Sequence, residues 1–258
     1  MTGIMRNLKV IISYNGANYH GFQTQNNAVT VQQVIESALS GLLGESAAVV
    51  GCSRTDAGVH AREFCFNVKT CSPIPCDGFV KALNGLLPRD IAVHSCEEVG
   101  TDFHARYCTR SKEYVYLICC GGVRDVFMKD LAYFYPRSLD LVRMNEAAGL
   151  FVGEHDFSAY CKAESLETVL TKPRGAVREV YELSVREYSL SDRYIEIIIR
   201  GSGFLHNMVR IIAGTLVYVS EGKLSLSNVK ETLSGVGKRE TAGVTLPASG
   251  LYLNRVIY

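Results

Sequence analysis

The segment from Phe204 to Ser220 sets the strongest constraint on what this chain can fold into. Between Ile211 and Val219 it is almost uniformly apolar, so a helix here has no polar face for water and must be enclosed by other elements. It is too short to cross a membrane. Arg210 and Glu221 bound it, and no window approaches the roughly 20 uninterrupted apolar residues that a spanning helix requires. The segment therefore reads as a core helix. A chain of 258 residues, 47% hydrophobic, is long enough to surround it, as one large domain or as two packed halves.

The remaining pattern alternates between two periods. Asn7 to Tyr14 is rich in β-branched residues and reads as a strand ended by Asn15-Gly16. Thr30 and Gln33 have the form of a capping box, and Val31, Val34, Ile35, Ala38, Leu39, Leu42 and Leu43 keep one apolar face until Gly44. Ala47 to Cys52 reads as a short strand, Arg54 to Ala61 as a loop, and Glu63 to Lys69 as an alternating strand. Asp77 is placed to cap a short helix through Leu87, followed by a strand from Ile91 to Val99. Lys112 to Cys120 alternates again, with Tyr114, Tyr116 and Ile118 on one face. A helix over Leu141 to Phe151, a strand pair at Arg178 to Tyr188 and Tyr194 to Arg200, a helix over Leu226 to Leu233 and a last strand at Leu251 to Ile257 complete the reading. Strands and helices are interspersed without a regular βαβ beat, which predicts an α+β fold with a mainly antiparallel sheet. The softest seam falls between Thr101 and Arg110; we expect an N-terminal half over 1–103 and a C-terminal half over 104–258.

Nine cysteines, an odd number with no C-x-x-C pair, fit reduced thiols in a cytoplasm better than a disulfide scaffold. The N-terminus shows no apolar signal stretch, so a cytoplasmic location is expected. The formal net charge is only +1, so any nucleic-acid function must rest on where the charges lie. Neither a G-x-S-x-G elbow nor a G-x-x-x-x-G-K-[ST] loop occurs, and Gly201-Ser202-Gly203 lacks the third glycine of a dinucleotide site. The zinc deaminase pattern fails as well. His60-Ala61-Arg62-Glu63 has one residue too many, and Pro75-Cys76 has no cysteine three positions on.

Charged residues concentrate instead where a strand leaves the sheet, at Cys52 to Ala61. Asp56, two residues before Gly58, has a plain structural reading as an aspartate bonding its own turn. It also has a chemical one: if Arg54 to Asp56 runs extended, both side chains share a face and the arginine holds the carboxylate ionised and aimed. Tyr114 and Tyr116 are open to two readings, core aromatics or a base-stacking platform. His206 and Arg210, four apart, form either a solvated helix stripe or, for Arg210 in its apolar surroundings, a cation seeking a carboxylate such as Asp56.

At this point the chain resembles a known family. Arg54-Thr55-Asp56-Ala57-Gly58-Val59-His60-Ala61 is similar to the signature of the TruA family of tRNA pseudouridine synthases, and Tyr14 to Gln25 is similar to that family's opening Y-D-G-x-x-Y-x-G-F-Q-x-Q. Phe103 to Arg106, Lys112 to Tyr116, Gly153 to Phe157, Phe204 to Arg210 and Pro247 to Leu251 resemble further family blocks in order, so the likeness covers essentially the whole chain. The departures are mild: Asn15 stands for the usual Asp, Ser53 for Gly, and Leu246 for Ala.

The resemblance implies the pseudouridine synthase fold, two α+β halves with mainly antiparallel sheets flanking a positively charged cleft, in a homodimer that shares tRNA. It implies isomerisation of uridine in the anticodon stem-loop at tRNA positions 38, 39 and 40, with Asp56 as nucleophile and no cofactor or metal. By the same resemblance Arg54 holds the displaced nucleotide, Tyr114 stacks on the flipped base and Arg210 pairs with Asp56. Lys162, Lys172, Arg174 and Arg178 are candidates for phosphate contacts. The alternatives are a synthase acting at another RNA position and a catalytically silent RNA-binding protein of the same fold.

Overall fold

The structure, a computed structural model, describes residues 4–189, 191–235 and 237–258. The first three residues of the N-terminal stretch, read above as lacking a signal, lie outside them. In chain order the strands and helices are β1 (Arg6–Tyr14), α1 (Val31–Leu43), β2 (Val49–Gly51), β3 (His60–Thr70), α2 (Cys76–Leu86), β4 (Ile91–Val99), β5 (Ser111–Cys120), β6 (Tyr133–Tyr135), α3 (Leu141–Gly149), β7 (Gly153–Asp156), α4 (Ala163–Leu170), β8 (Val177–Tyr188), β9 (Ser191–Gly201), α5 (Met208–Ser220), α6 (Leu226–Leu233) and β10 (Leu251–Ile257). Two compact units result: Met1–Arg110 with Tyr252–Tyr258, and Ser111–Leu251.

In the first unit β1 is the central strand, antiparallel to β4 on one edge and to β3 on the other. The far edge of β3 is shared. Near its end it takes β2 antiparallel, at Val49↔Val68, and at its start it takes β10 parallel, at Tyr252↔His60. Leu8, Val10, Ile12, Phe64, Phe66 and Val68 are buried on these strands. Helix α1 buries Val31, Ile35 and Leu39, the residues of its 3.6-period stripe. Its ends are those the sequence dictates. Thr30 Oγ1 accepts from the Gln33 backbone N–H while Gln33 Oε1 accepts from that of Thr30, and Gly44 closes the helix in the left-handed conformation at φ +70°. At α2 the expected cap is corrected. Pro75 occupies the N-cap position, and Asp77 lies in the first turn, where its charge favours the helix N-terminus without capping it.

The second unit is built on an antiparallel run β5-β9-β8-β7, with β6 added parallel to β5. The expected strand pair is present as β8 and β9. Three short elements, β6, β7 and α4, had no periodic signal in the sequence. Helix α5 begins at Met208 and not at Phe204, because Asn207 adopts φ +63° and cannot continue a right-handed helix backwards. Ten of its thirteen residues are buried, as the apolar character of the segment requires.

One close approach fixes α5 against the chain that follows α6. A Cβ on Gly214 would lie 1.9 Å from the Val244 carbonyl oxygen, and one on Gly243 would lie 2.3 Å from the Thr215 nitrogen. Thr215 Oγ1, buried, accepts the Gly243 N–H at 2.9 Å. Backbone therefore rests on backbone, which only glycine permits. Gly214→Ala is expected to lower the unfolding free energy by about 1–3 kcal/mol, the usual cost of overpacking a filled site, seen in urea denaturation as a lower midpoint.

Candidate active site

The loop Arg54 to Val59 enters β3 and is held by the segment that follows β1. Thr55 faces inward, 8% exposed, between the exposed Arg54 and the half-buried Asp56. This in-and-out alternation is that of an extended stretch, so Arg54 and Asp56 share the outward side. The Val59 N–H then donates to the Asp56 carbonyl at 3.1 Å, closing a β-turn whose third residue, Gly58, has φ +77°. The turn thus forms on the backbone of Asp56, with a glycine where the left-handed conformation is needed.

The bracing is dense. Thr55 Oγ1 and the Tyr14 hydroxyl lie 2.9 Å apart in a buried hydrogen bond. The Phe22 N–H donates to the Thr55 carbonyl, and the Gly58 N–H to the Tyr19 carbonyl. The Gly16 N–H donates to Nδ1 of the buried His60 at 3.0 Å, which places the ring proton on Nε2. The same imidazole stacks on Tyr252 at 4.7 Å, and Arg62 lies over that tyrosine's ring. Two glycines permit the approach. A Cβ on Gly16 would sit 2.0 Å from the Val59 carbonyl oxygen, and one on Gly21, at φ +85°, would sit 2.3 Å from the Thr55 carbonyl oxygen. Behind them Tyr19 donates to Asp90 at 2.6 Å, and burial, followed by that bond, pushes the pKa of the Tyr19 hydroxyl above its ordinary range.

In the second unit Tyr114 and Tyr116 point to the same face of β5 but differ in surroundings. Tyr116 is fully buried and donates to the Pro247 carbonyl at 2.7 Å. Burial pushes its hydroxyl well above the ordinary phenol range, against a smaller opposing effect of Arg210. It is a core residue. Tyr114 meets the edge of Phe204 at 5.1 Å and 81°, a geometry that fixes its ring plane. Arg210, half-buried in the first turn of α5, donates through Nε to the Leu246 carbonyl at 2.7 Å and through an Nη to Asn207 Oδ1 at 2.8 Å. The expected helical stripe of His206 and Arg210 is corrected. His206 precedes the helix, is exposed, and lies 2.7 Å from Ser165 Oγ.

Of the candidate phosphate contacts, Lys162 pairs with Glu164 at 3.7 Å, and Arg174 donates to Ser202 Oγ. Arg178 donates to the Gly175 and Val177 carbonyls. Its guanidinium is held below its usual range, first by burial and then by the neighbouring Arg174. Among the described residues no three His, Cys, Asp or Glu side chains are grouped to hold a metal ion, and no helix is long and apolar enough to cross a membrane.

Fold and loop together define an α+β protein of mainly antiparallel sheets whose acidic loop is braced at the start of a strand. The sequence model described as tRNA pseudouridine synthase matches residues 10–108 and 147–258. Proteins named tRNA pseudouridine synthase A from Ruminiclostridium cellulolyticum, Clostridium kluyveri and Acetivibrio thermocellus are 46%, 43% and 43% identical to this chain, each over 98% of it and 100% of the relative. The chain belongs to the tRNA pseudouridine synthase family, a family of isomerases. Arg54, Asp56 and Arg210 fall inside the matched stretches, and Tyr114 falls between them.

The supporting residues Tyr14, Gly16, Gly21, Thr55 and His60 had a signal in the sequence, the two ordered blocks, but nothing in either block shows that they interlock. Gly16→Ala is expected to cost about 1–3 kcal/mol of stability, because backbone and not a flexible side chain must yield. It should also reduce turnover more than Gly41→Ala, whose added Cβ meets nothing within 4 Å. Urea unfolding and a pseudouridine assay on both variants check this.

Proposed function

We propose that this protein isomerises uridine to pseudouridine in the anticodon stem-loop of tRNA, at positions 38, 39 and 40, with Asp56 as the nucleophile. The observation that carries the reading is the aspartate loop. Asp56 is half-buried on the outward side of an extended stretch and is held there by hydrogen bonds from neighbours in the same unit. A nucleophile needs such positioning, and an aspartate side chain supplies a carboxylate oxygen able to attack carbon.

The reaction breaks the bond from N1 to the ribose, turns the base and joins C5 to the same carbon. Atoms and electrons balance within the nucleotide. A covalent adduct of the carboxylate divides the exchange into two easier steps. The uridine must first leave its stack, at a cost of a few kcal/mol that binding returns. Arg54, exposed beside Asp56, holds the displaced nucleotide. Tyr114 stacks on the flipped base, a contribution of about 1–3 kcal/mol, with its ring plane set by Phe204. Arg210 supplies the counter-charge for the nucleophile. Its guanidinium is pre-aimed by the Leu246 carbonyl and Asn207, an arrangement that costs little ordering when substrate arrives. We further propose that the protein works in the cytoplasm as a homodimer, without a cofactor.

The test is an incubation with unmodified tRNA transcripts, with pseudouridine mapped by chemical labelling. Product in the anticodon stem-loop is expected from the native protein and none from Asp56→Ala, which should still bind tRNA. Tyr114→Phe should keep substrate affinity, because the stacking ring remains. Product from Asp56→Ala at the native rate would overturn the assignment of the nucleophile; product only elsewhere in the tRNA would overturn the assigned positions.

A further inference from the structure

The segment Thr101 to Arg110 contributes nothing to the chemistry above, yet it is among the most firmly held turns in the first unit. A buried polar network holds it. Asn7, 1% exposed, donates to the Gly100 and Phe103 carbonyls at 2.9 Å, and Asn67, 3% exposed, donates to Asn7 Oδ1 at 3.0 Å. Asn67 Oδ1 in turn accepts the Ala105 N–H at 2.9 Å. The Ala105 carbonyl accepts from both Thr109 Oγ1 and the Tyr258 hydroxyl. Ala105 is fully buried and clamped through its N–H and its carbonyl. A polar network inside a sheet is stabilising only when each member is satisfied, and here it fixes a single turn.

What the turn carries outward is an aromatic pair with cations. Tyr107 is 79% exposed, a large aromatic left in water. Its ring lies 4.3 Å from that of His104 at 30°. His104 is itself locked, because Nδ1 accepts the N–H groups of Arg106 and Tyr107. Arg106 and Arg110 are exposed on the same segment, and neither is in an ion pair among the described residues. Asp102 is the one acidic residue between positions 101 and 110. An exposed ring, held rigid and flanked by unneutralised guanidinium groups, is complementary to a base and the phosphates beside it.

We infer that the turn from His104 to Arg110 is an RNA-contact platform on which an unpaired base of the tRNA stacks against Tyr107, with Arg106 and Arg110 meeting the adjacent phosphates. The inference rests on the proposed tRNA activity but concerns residues that activity does not use. Rigidity matters to it. A tyrosine already fixed by its His104 neighbour and by a clamped backbone loses little freedom on stacking, and the arginines bring affinity that falls with salt.

The experiment measures tRNA affinity by filter binding at several salt concentrations, and pseudouridine formation in parallel, for the native protein, Tyr107→Ala, Tyr107→Phe and Arg106→Gln. Tyr107→Ala is expected to weaken binding about ten-fold, within the range of one lost base stack, and to lower kcat/KM by a similar factor, while Tyr107→Phe stays near the native value. Arg106→Gln should weaken binding and flatten its salt dependence by about one phosphate contact. Native affinity and salt slope in Tyr107→Ala and Arg106→Gln, with active native enzyme, would overturn the platform and leave the proposed activity standing. So would a shift in the sedimentation of Tyr107→Ala without loss of tRNA affinity, since the turn would then face a second copy of the chain. A native protein that binds tRNA but forms no pseudouridine would instead count against the activity and leave the platform to be judged on affinity alone.

Discussion

The contact on which the aspartate loop depends is the approach of Gly16 to the carbonyl of Val59. At that distance no side chain fits, so the backbone after β1 lies directly on the backbone that enters β3. Everything else in the loop follows from the closeness. It brings the Gly16 N–H within reach of His60, and it accompanies the inward turn of Thr55 toward Tyr14. Once Thr55 points in, the alternation of an extended chain turns Arg54 and Asp56 out. The position of a charged side chain at the surface is thus set by glycines and uncharged hydrogen bonds beneath it. Such bonds are insensitive to salt, unlike a surface ion pair.

The second unit positions Arg210 in a related way. Arg210 could have been swallowed by the apolar helix in which it sits. The left-handed Asn207 ends the preceding segment so that the helix begins only two residues before Arg210, and the Asn207 side chain and the Leu246 carbonyl then take up two donors of the guanidinium. These two neutral acceptors fix the orientation of the guanidinium plane without themselves carrying charge. The strain of one non-glycine residue at positive φ is the kind of local cost that persists where the surroundings over-determine it.

Much of this was legible in the residues alone, and the reason differs by element. Helix α1 was readable to the residue because its capping box, apolar stripe and terminal glycine all act within one helix. Strands β1, β3, β4 and β5 were readable because one or both faces are buried and the pattern shows it. The short β6, β7 and α4 were not, since neither a helical nor an alternating apolar pattern sets them apart from the segments around them. The start of α5 was misplaced because apolar composition continues through Phe204 and Leu205, while the break depends on the φ of Asn207. In the candidate site, residue types and order pointed to Arg54, Asp56, Tyr114 and Arg210. The core role of Tyr116, the separation of His206 from the helix and the bracing by Gly16 and His60 depend on long-range packing, which spacing along a chain does not encode.

The formal net charge of +1 is weak ground for doubting that such a chain meets a polyanion, because the count ignores which charges are already used. Several carboxylates are engaged within their own unit: Glu97 with Lys9, Glu98 with Arg6, Glu196 with Arg186, and Glu221 with both Arg137 and Lys223. Tyr135 also donates to Glu221, and these bonds hold that carboxyl below its ordinary range. By contrast Arg54, Arg106, Arg110 and Arg174 enter no ion pair among the described residues. A cation that already has an internal carboxylate must give up that partner to meet a phosphate, whereas an unpaired exposed one has only water and counterions to release. For a ligand that carries a charge on every nucleotide, these exposed arginines are therefore the cations that can meet a phosphate without first breaking an internal pair.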